Sequence, residues 1–225
     1  MKRRTFITGL GSAAAWPLAA RAQQGGVRIP RIGIIDEWGP TLSARTWNHF
    51  RQGLHDLGYI EGRNIAIEFR SAEGFDQVRQ AARELASLPV NILVVYGSLA
   101  TRAARQTTST IPIVMMAVGD PVRARFVTSL ARPGGNVTGS TNLTPELIGK
   151  RFEILKECVP DLARVAFLWN PDNDSNVVFL EELIIAVPAL GLQLISVPMR
   201  TSHDFRARIC RNDAETAKRI CHDRR

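Results

Sequence analysis

Among 225 residues there are three cysteines, two tyrosines and four histidines. Cys158, Cys210 and Cys221 are an odd and sparse set, so no disulfide framework is implied, and no two have the spacing of zinc ligands. Cys158 falls at the end of a predicted helix among apolar neighbours, where a cysteine packs as a small buried hydrophobe. His49, His55, His203 and His222 are scattered, and the first two belong on the solvent face of a helix. Neither G-x-x-x-x-G-K-[ST] nor a G-x-G-x-x-G after the first strand is present, so nucleotide use is unsupported. The G-x-S-x-G frame of a nucleophile elbow is missing as well. No run approaches the roughly 20 apolar residues that a membrane-spanning helix needs. The chain offers no metal cluster and no cofactor motif.

Charge is present but unevenly placed. The formal net charge is +8, yet residues 1–22 carry four basic side chains and no acid, and residues 200–225 carry eight basic against four acidic. The body between them holds 17 of each sign. Nucleic-acid binding requires a basic face on the folded body to displace counterions from phosphates. This body has no such surplus, which argues against nucleic acid as a partner.

The leading charges have another explanation. Lys2-Arg3-Arg4-Thr5-Phe6-Ile7 is a basic segment with twin arginines, followed by a moderately apolar stretch from Ile7 to Ala20 and by Ala20-Arg21-Ala22, an A-x-A site. This is the form of a signal peptide cleaved before Gln23, and its weak hydrophobicity suits the twin-arginine route. The expectation is an exported, soluble, periplasmic protein.

From residue 31 onward, short β-rich runs alternate with helical ones. Strands are predicted at 31–36, 64–70, 91–97, 111–118 and 136–141. Helices are predicted at 42–57, closed by Gly58; at 75–88, stopped by Pro89; at 98–108, with Ser98 as N-cap; and at 122–131, closed by Pro133-Gly134-Gly135. Continuous apolar strands such as Ile92-Leu93-Val94-Val95 are those of a parallel sheet covered on both faces. The fold class is therefore α/β, a doubly wound parallel sheet, in a first lobe spanning 23–143. A second unit at 144–199 begins with a helix opened by Thr144-Pro145 and running to about Cys158. A strand at 165–169, a helix at 175–190 ending near Pro188 and a strand at 192–197 follow. Two strands and two helices leave this second α/β lobe incomplete, and 200–225 reads as an aberrant basic tail.

In open α/β sheets ligands bind beyond the carboxyl ends of the strands. Those tips supply Asp36 and Trp38, Ser98 and Thr101, Asp120, and Asn142. Ser98 and Thr101 stand at a helix start, either as an anion seat or, for Ser98, as the cap of its own helix. Asp120 suits a ligand amine or a helix cap. Trp38 suits stacking on a ligand or covering a core edge.

Several stretches together resemble one family. They are Arg3-Arg4-Thr5-Phe6-Ile7 with Trp16-Pro17-Leu18-Ala19-Ala20-Arg21-Ala22-Gln23-Gln24, Phe50-Arg51-Gln52-Gly53-Leu54, and Leu57-Gly58-Tyr59-Ile60-Glu61-Gly62-Arg63-Asn64. Ile111-Pro112-Ile113-Val114, Gly119-Asp120-Pro121-Val122, Leu130 to Gly139 and Leu155-Lys156-Glu157 complete the set. In this order they resemble the ABC transporter substrate-binding proteins of the tryptophan/tyrosine type, over residues 1 to about 205. The resemblance implies the type I periplasmic-binding fold, two lobes that close on a small solute, with no catalysis. It also implies delivery of the solute to an ABC permease in the inner membrane. The ligand would lie between the tips named above and the second lobe near Asn170. Such proteins run about a hundred residues further, so a truncated second lobe and impaired function are expected, with a frameshift as one origin of the tail. The alternative from another class is a small exported α/β hydrolase using Ser98.

Overall fold

The computed structural model describes residues 29–142, 147–200 and 204. The first lobe contains β1 (Arg31–Asp36), α1 (Pro40–Asp56), β2 (Ala66–Ser71), α2 (Phe75–Ser87), β3 (Ile92–Tyr96), α3 (Ser98–Thr107), β4 (Ile113–Val118) and β5 (Val137–Thr141). Its five strands form one parallel sheet in the order β2-β1-β3-β4-β5. Successive side chains alternate between two faces. Ile32, Ile34 and Val94 pack on Trp47 of α1, and Ile35, Leu93 and Val95 pack against α2 and α3 with Val78, Leu85 and Ala100. The doubly wound α/β architecture read from the sequence is thus the observed one.

Local signals explain several boundaries. After α1, the N–H of Gly58 donates to the His55 carbonyl at 2.9 Å and that of Tyr59 to the Leu54 carbonyl at 2.8 Å. This closing motif requires the left-handed φ of 83° that Gly58 adopts. In β1, Gly33 lies so close to Leu93 that a Cβ would come within 2.7 Å of its Cδ2. The missing side chain there lets β1 and α2 pack tightly.

Three expectations are corrected. Residues 122–131 form turns and bends rather than a helix. The N–H groups of Phe126 and Val127 both return to the Pro121 carbonyl, and Arg125 sits at φ 58°, so the winding ends after one turn. Phe126 and Val127 are buried in the same core as Ala100, Ala103 and Ala104 of α3. Gly97, not Ser98, is the N-cap of α3, and no side chain of its own caps this helix. Cys158 is exposed, because the inward face of its helix is taken by Ile148 and Phe152.

The second lobe comprises α4 (Ile148–Cys158), β6 (Arg164–Trp169), α5 (Asp174–Ala189) and β7 (Gln193–Pro198). The strands β6 and β7 pair in parallel, and Ile148, Val165, Leu183, Val187 and Leu192 make a small separate core. Asn173 caps α5, its Oδ1 accepting from the N–H of Ser175 at 3.0 Å and of Asn176 at 3.3 Å. Pro188 lies inside the last turn of α5, which continues to Ala189. The expected Thr144-Pro145 helix start, the expected leader at 1–22, His203, His222, Cys210, Cys221 and the residues beyond Arg200 apart from Asp204 lie outside the described residues. No described helix is long and apolar enough to cross a membrane.

Candidate functional site

In the order β2-β1-β3-β4-β5 the chain reverses direction of growth between β1 and β3, and a crevice opens above their carboxyl ends. The second lobe stands over that crevice. Between the lobes lies a cavity of about 500 Å3, lined from the first lobe by Glu37, Trp38, Gly97, Ser98, Ala117, Gly119 and Asn142. Its other wall is Arg151 of α4 with Asn173, Ser175, Asn176 and Phe179 of α5 and its cap. This volume is in the range of small-molecule sites.

Glu37 is the centre of the site. One carboxylate oxygen accepts from the backbone N–H of Ala100, in the first turn of α3, at 3.1 Å. The other accepts from the side-chain amide of Asn173, the cap of α5, at 3.3 Å. Two helix N-termini, each with partial positive charge, therefore meet at one carboxylate. The cap that α3 lacks in its own sequence comes from the tip of β1. Gly97 makes this possible: at φ 90° it carries no Cβ, and one added there would collide with the Glu37 carboxylate. Burial pushes the Glu37 carboxyl up from 4.5 to about 7. Hydrogen bonds from Ala100, Leu99 and Trp38 oppose that rise, and the neighbouring Asp36 adds to it.

Ser98 and Ser175 share a hydrogen bond of 2.5 Å, and the N–H of Gly119 donates to Ser175 Oγ at 2.9 Å. Beside them Arg102 of α3 donates to the Asp172 carbonyl at 2.6 Å and to Asp174 Oδ1 at 3.3 Å, its guanidinium 4.2 Å from the Phe75 ring centre. Burial raises the Asp174 pKa, opposed by Arg102. Arg123, after β4, also pairs across the lobes with Glu181 and Glu182 of α5. Ala117, in the cavity wall, has φ 57° where the β4–β5 register shifts. Irregular strands of this kind re-aim backbone at ligand sites.

Of the seven residues expected from the sequence, the structure brings Trp38, Ser98 and Asn142 to the cavity. Trp38 is half exposed and meets Tyr96 edge to face at 5.4 Å. Asp36 is fully buried, with Oδ1 accepting from the Trp38 N–H at 3.0 Å. Thr101 is also fully buried and donates to the Gly97 carbonyl at 2.7 Å. Asp120 caps the turn after β4, accepting from the N–H groups of Val122 and Arg123. Asn170 accepts from the Asp172 N–H at 2.9 Å in the β6–α5 loop. Sequence reasoning passed over Glu37, although it lies between two chosen residues, because alternation alone does not say which of three successive tip residues turns to the crevice. Asn173 was legible as an N-cap, with Asn-Asp-Ser ahead of an apolar run. Arg151 and Ser175 carried no local signal.

The groups lining the cavity can hold a small molecule by hydrogen bonds, charge and ring contacts. Ser98 Oγ meets Ser175, not a base; His49 and His55 are exposed on α1, and among the described residues no histidine lines the cavity. No group of described His, Cys, Asp or Glu side chains could hold a metal.

Comparison with known proteins agrees. A tyrosine-binding protein of Clostridioides difficile is 32% identical over 135 residues, covering 60% of this chain and 39% of that protein. The crystal structure of a conserved domain protein from Vibrio cholerae matches with a TM-score of 0.72 at 30% identity, over 79% of this chain and 60% of that one. The fold is also that of the ABC domain in complex with L-Trp from Streptococcus pneumonia, with a TM-score of 0.69 at 23% identity over 78% and 59% of the two chains. This chain thus spans less than two thirds of the length of each. The family model for ABC transporter substrate binding proteins matches residues 39–218, most of the chain, and this protein belongs to that family.

Proposed function

We propose that this protein captures a small solute, an amino acid or a related compound, in the cavity between its lobes and hands it to the permease of an ABC importer. The observation that carries this reading is the cavity itself. It lies at the switch point of a doubly wound sheet and is walled on one side by strand tips and on the other by α4 and α5. Its walls are polar and aromatic together, with Trp38 and Phe179 beside Glu37, Arg151 and three asparagines. Relatives whose names carry tyrosine and L-Trp support an aromatic amino acid as the first candidate. Residues 1–22 serve as a twin-arginine-type export leader, 23–143 as the first lobe and 144–199 as part of a second, so that capture takes place in the periplasm. The solute acts by closure: it favours the state in which both walls touch it.

The test is thermal unfolding of the purified chain against the twenty amino acids and their aromatic derivatives. A ligand that binds only the folded state at a hundred times its Kd adds about 2.7 kcal/mol and raises Tm. A rise confined to one side-chain class supports the proposal and names the solute. A Tm unmoved by every amino acid overturns it.

A further inference from the structure

Glu37 gives the cavity a polarity. We propose that the solute is held with its amine toward Glu37 and its carboxylate toward Arg151, making Glu37 the residue that selects for an amino group. The inference rests on the solute-capture reading above and adds to it which way round the solute lies.

Two helix N-termini facing one crevice would ordinarily be the seat for a ligand's anion. Here that seat is already filled from within the chain, by a carboxylate that accepts from Ala100 of α3 and from Asn173 at the cap of α5. Gly97 leaves the room that Glu37 occupies. A solute carboxylate approaching this end would meet a like charge and would have to expel a side chain bridging both lobes. An ammonium meets the opposite charge, on a residue that lines the cavity. The upward displacement of the Glu37 carboxyl agrees, since the surrounding donors do not fully offset its burial. A cation in the cavity would complete that compensation. Across the cavity Arg151 is the other ionisable side chain among the described lining residues. One acid and one base in a single small cavity match a zwitterion.

The inference is tested by calorimetric titration of the full chain with three probes that differ in one group: L-tyrosine, tyramine, which lacks the carboxylate, and 3-(4-hydroxyphenyl)propionate, which lacks the amine. Wild-type protein is expected to bind tyramine at least tenfold more tightly than the propionate. Glu37→Gln keeps the size and an acceptor for Ala100, and is expected to weaken L-tyrosine and tyramine at least tenfold without weakening the propionate. Glu37→Asp keeps the charge and should restore part of the amine preference. Arg151→Met should weaken L-tyrosine and the propionate but not tyramine. An unchanged Tm for each variant shows that it is folded.

Equal binding of the propionate and tyramine, or a Glu37→Gln variant that binds L-tyrosine and tyramine as tightly as wild type does, overturns the inference while leaving solute capture standing. The second result would mean that Glu37 only caps α3 and does not meet the solute's amine. Failure of all three probes to bind wild type overturns the aromatic amino-acid reading and this inference together.

Discussion

Ser98 and Ser175, 77 residues apart in the chain, share a hydrogen bond of 2.5 Å at the seam where α3 of the first lobe meets α5 of the second. Ser175 Oγ also accepts from the Gly119 N–H, so one hydroxyl ties together the tips of β3 and β4 and the start of α5. Both serines are buried, and the pair is one of the contacts that join two separately cored lobes.

Removing Ser175 should therefore cost more than removing Ser98. Ser175→Ala leaves the buried Gly119 amide without its acceptor, a loss of about 1–3 kcal/mol. Ser98→Ala removes only the shared bond, worth about 1 kcal/mol. Urea denaturation of the two variants checks the order, and an equal or reversed order would mean that water replaces Ser175 at Gly119.

Stability should depend on pH through Glu37. Its carboxyl is raised in the folded state, from 4.5 to about 7, chiefly by burial. The folded protein therefore holds the Glu37 proton more tightly than the unfolded chain does. The stabilising contribution is complete below about 4.5 and is lost as pH rises through 7. Asp36 beside it acts in the same direction, and Arg151 across the cavity and the Arg102–Asp174 pair behind it are the other charges nearby. Between pH 5 and 8 the ligand-free wild type should lose Tm relative to Glu37→Gln. Parallel Tm curves for the two would show that Glu37 titrates at its ordinary value.

Gly97→Ala should disturb the site more than the fold. The new methyl meets the Glu37 carboxylate, at a φ of 90° that L-residues rarely adopt. Backbone strain there costs on the order of 1–3 kcal/mol. Glu37 must also leave the Ala100 amide. Loss of solute binding with a fold retained by circular dichroism is the expected outcome.

Leu183→Ala tests whether the second lobe has a core of its own. Leu183 is fully buried among Ile148, Val165, Val187 and Leu192. Truncation of such a residue costs about 2–5 kcal/mol. By contrast, Arg123→Ala breaks the exposed pairs with Glu181 and Glu182 and should cost less than about 1 kcal/mol, an effect that shrinks further in high salt.

The amino-acid sequence by itself determined the first lobe almost element by element. The continuous, β-branched-rich apolar run Ile92-Leu93-Val94-Val95 suits a strand covered on both faces, and β3 is that strand. Gly58 ends α1 because the local closing bonds require a residue that tolerates positive φ. Such features depend on neighbours a few residues away, which is why periodicity and punctuation reveal them. The segment 122–131 misled for the same reason. Its composition suits a helix, but the buried positions of Phe126 and Val127 are set by packing under α3, and Arg125 turns left-handed to reach them.

Only the tertiary structure decided the site. Local reasoning made Ser98 the cap of α3 and an anion seat, and it chose Asp36 from the tip of β1. In the fold Asp36 turns inward, Glu37 crosses to cap α3 in place of Ser98, and Ser98 turns to Ser175. The cavity's second wall, Arg151, Asn173 and Ser175, begins more than 50 residues beyond Ser98. Which of these side chains face one another depends on how two lobes with separate cores come together, and that relation has no period in the sequence.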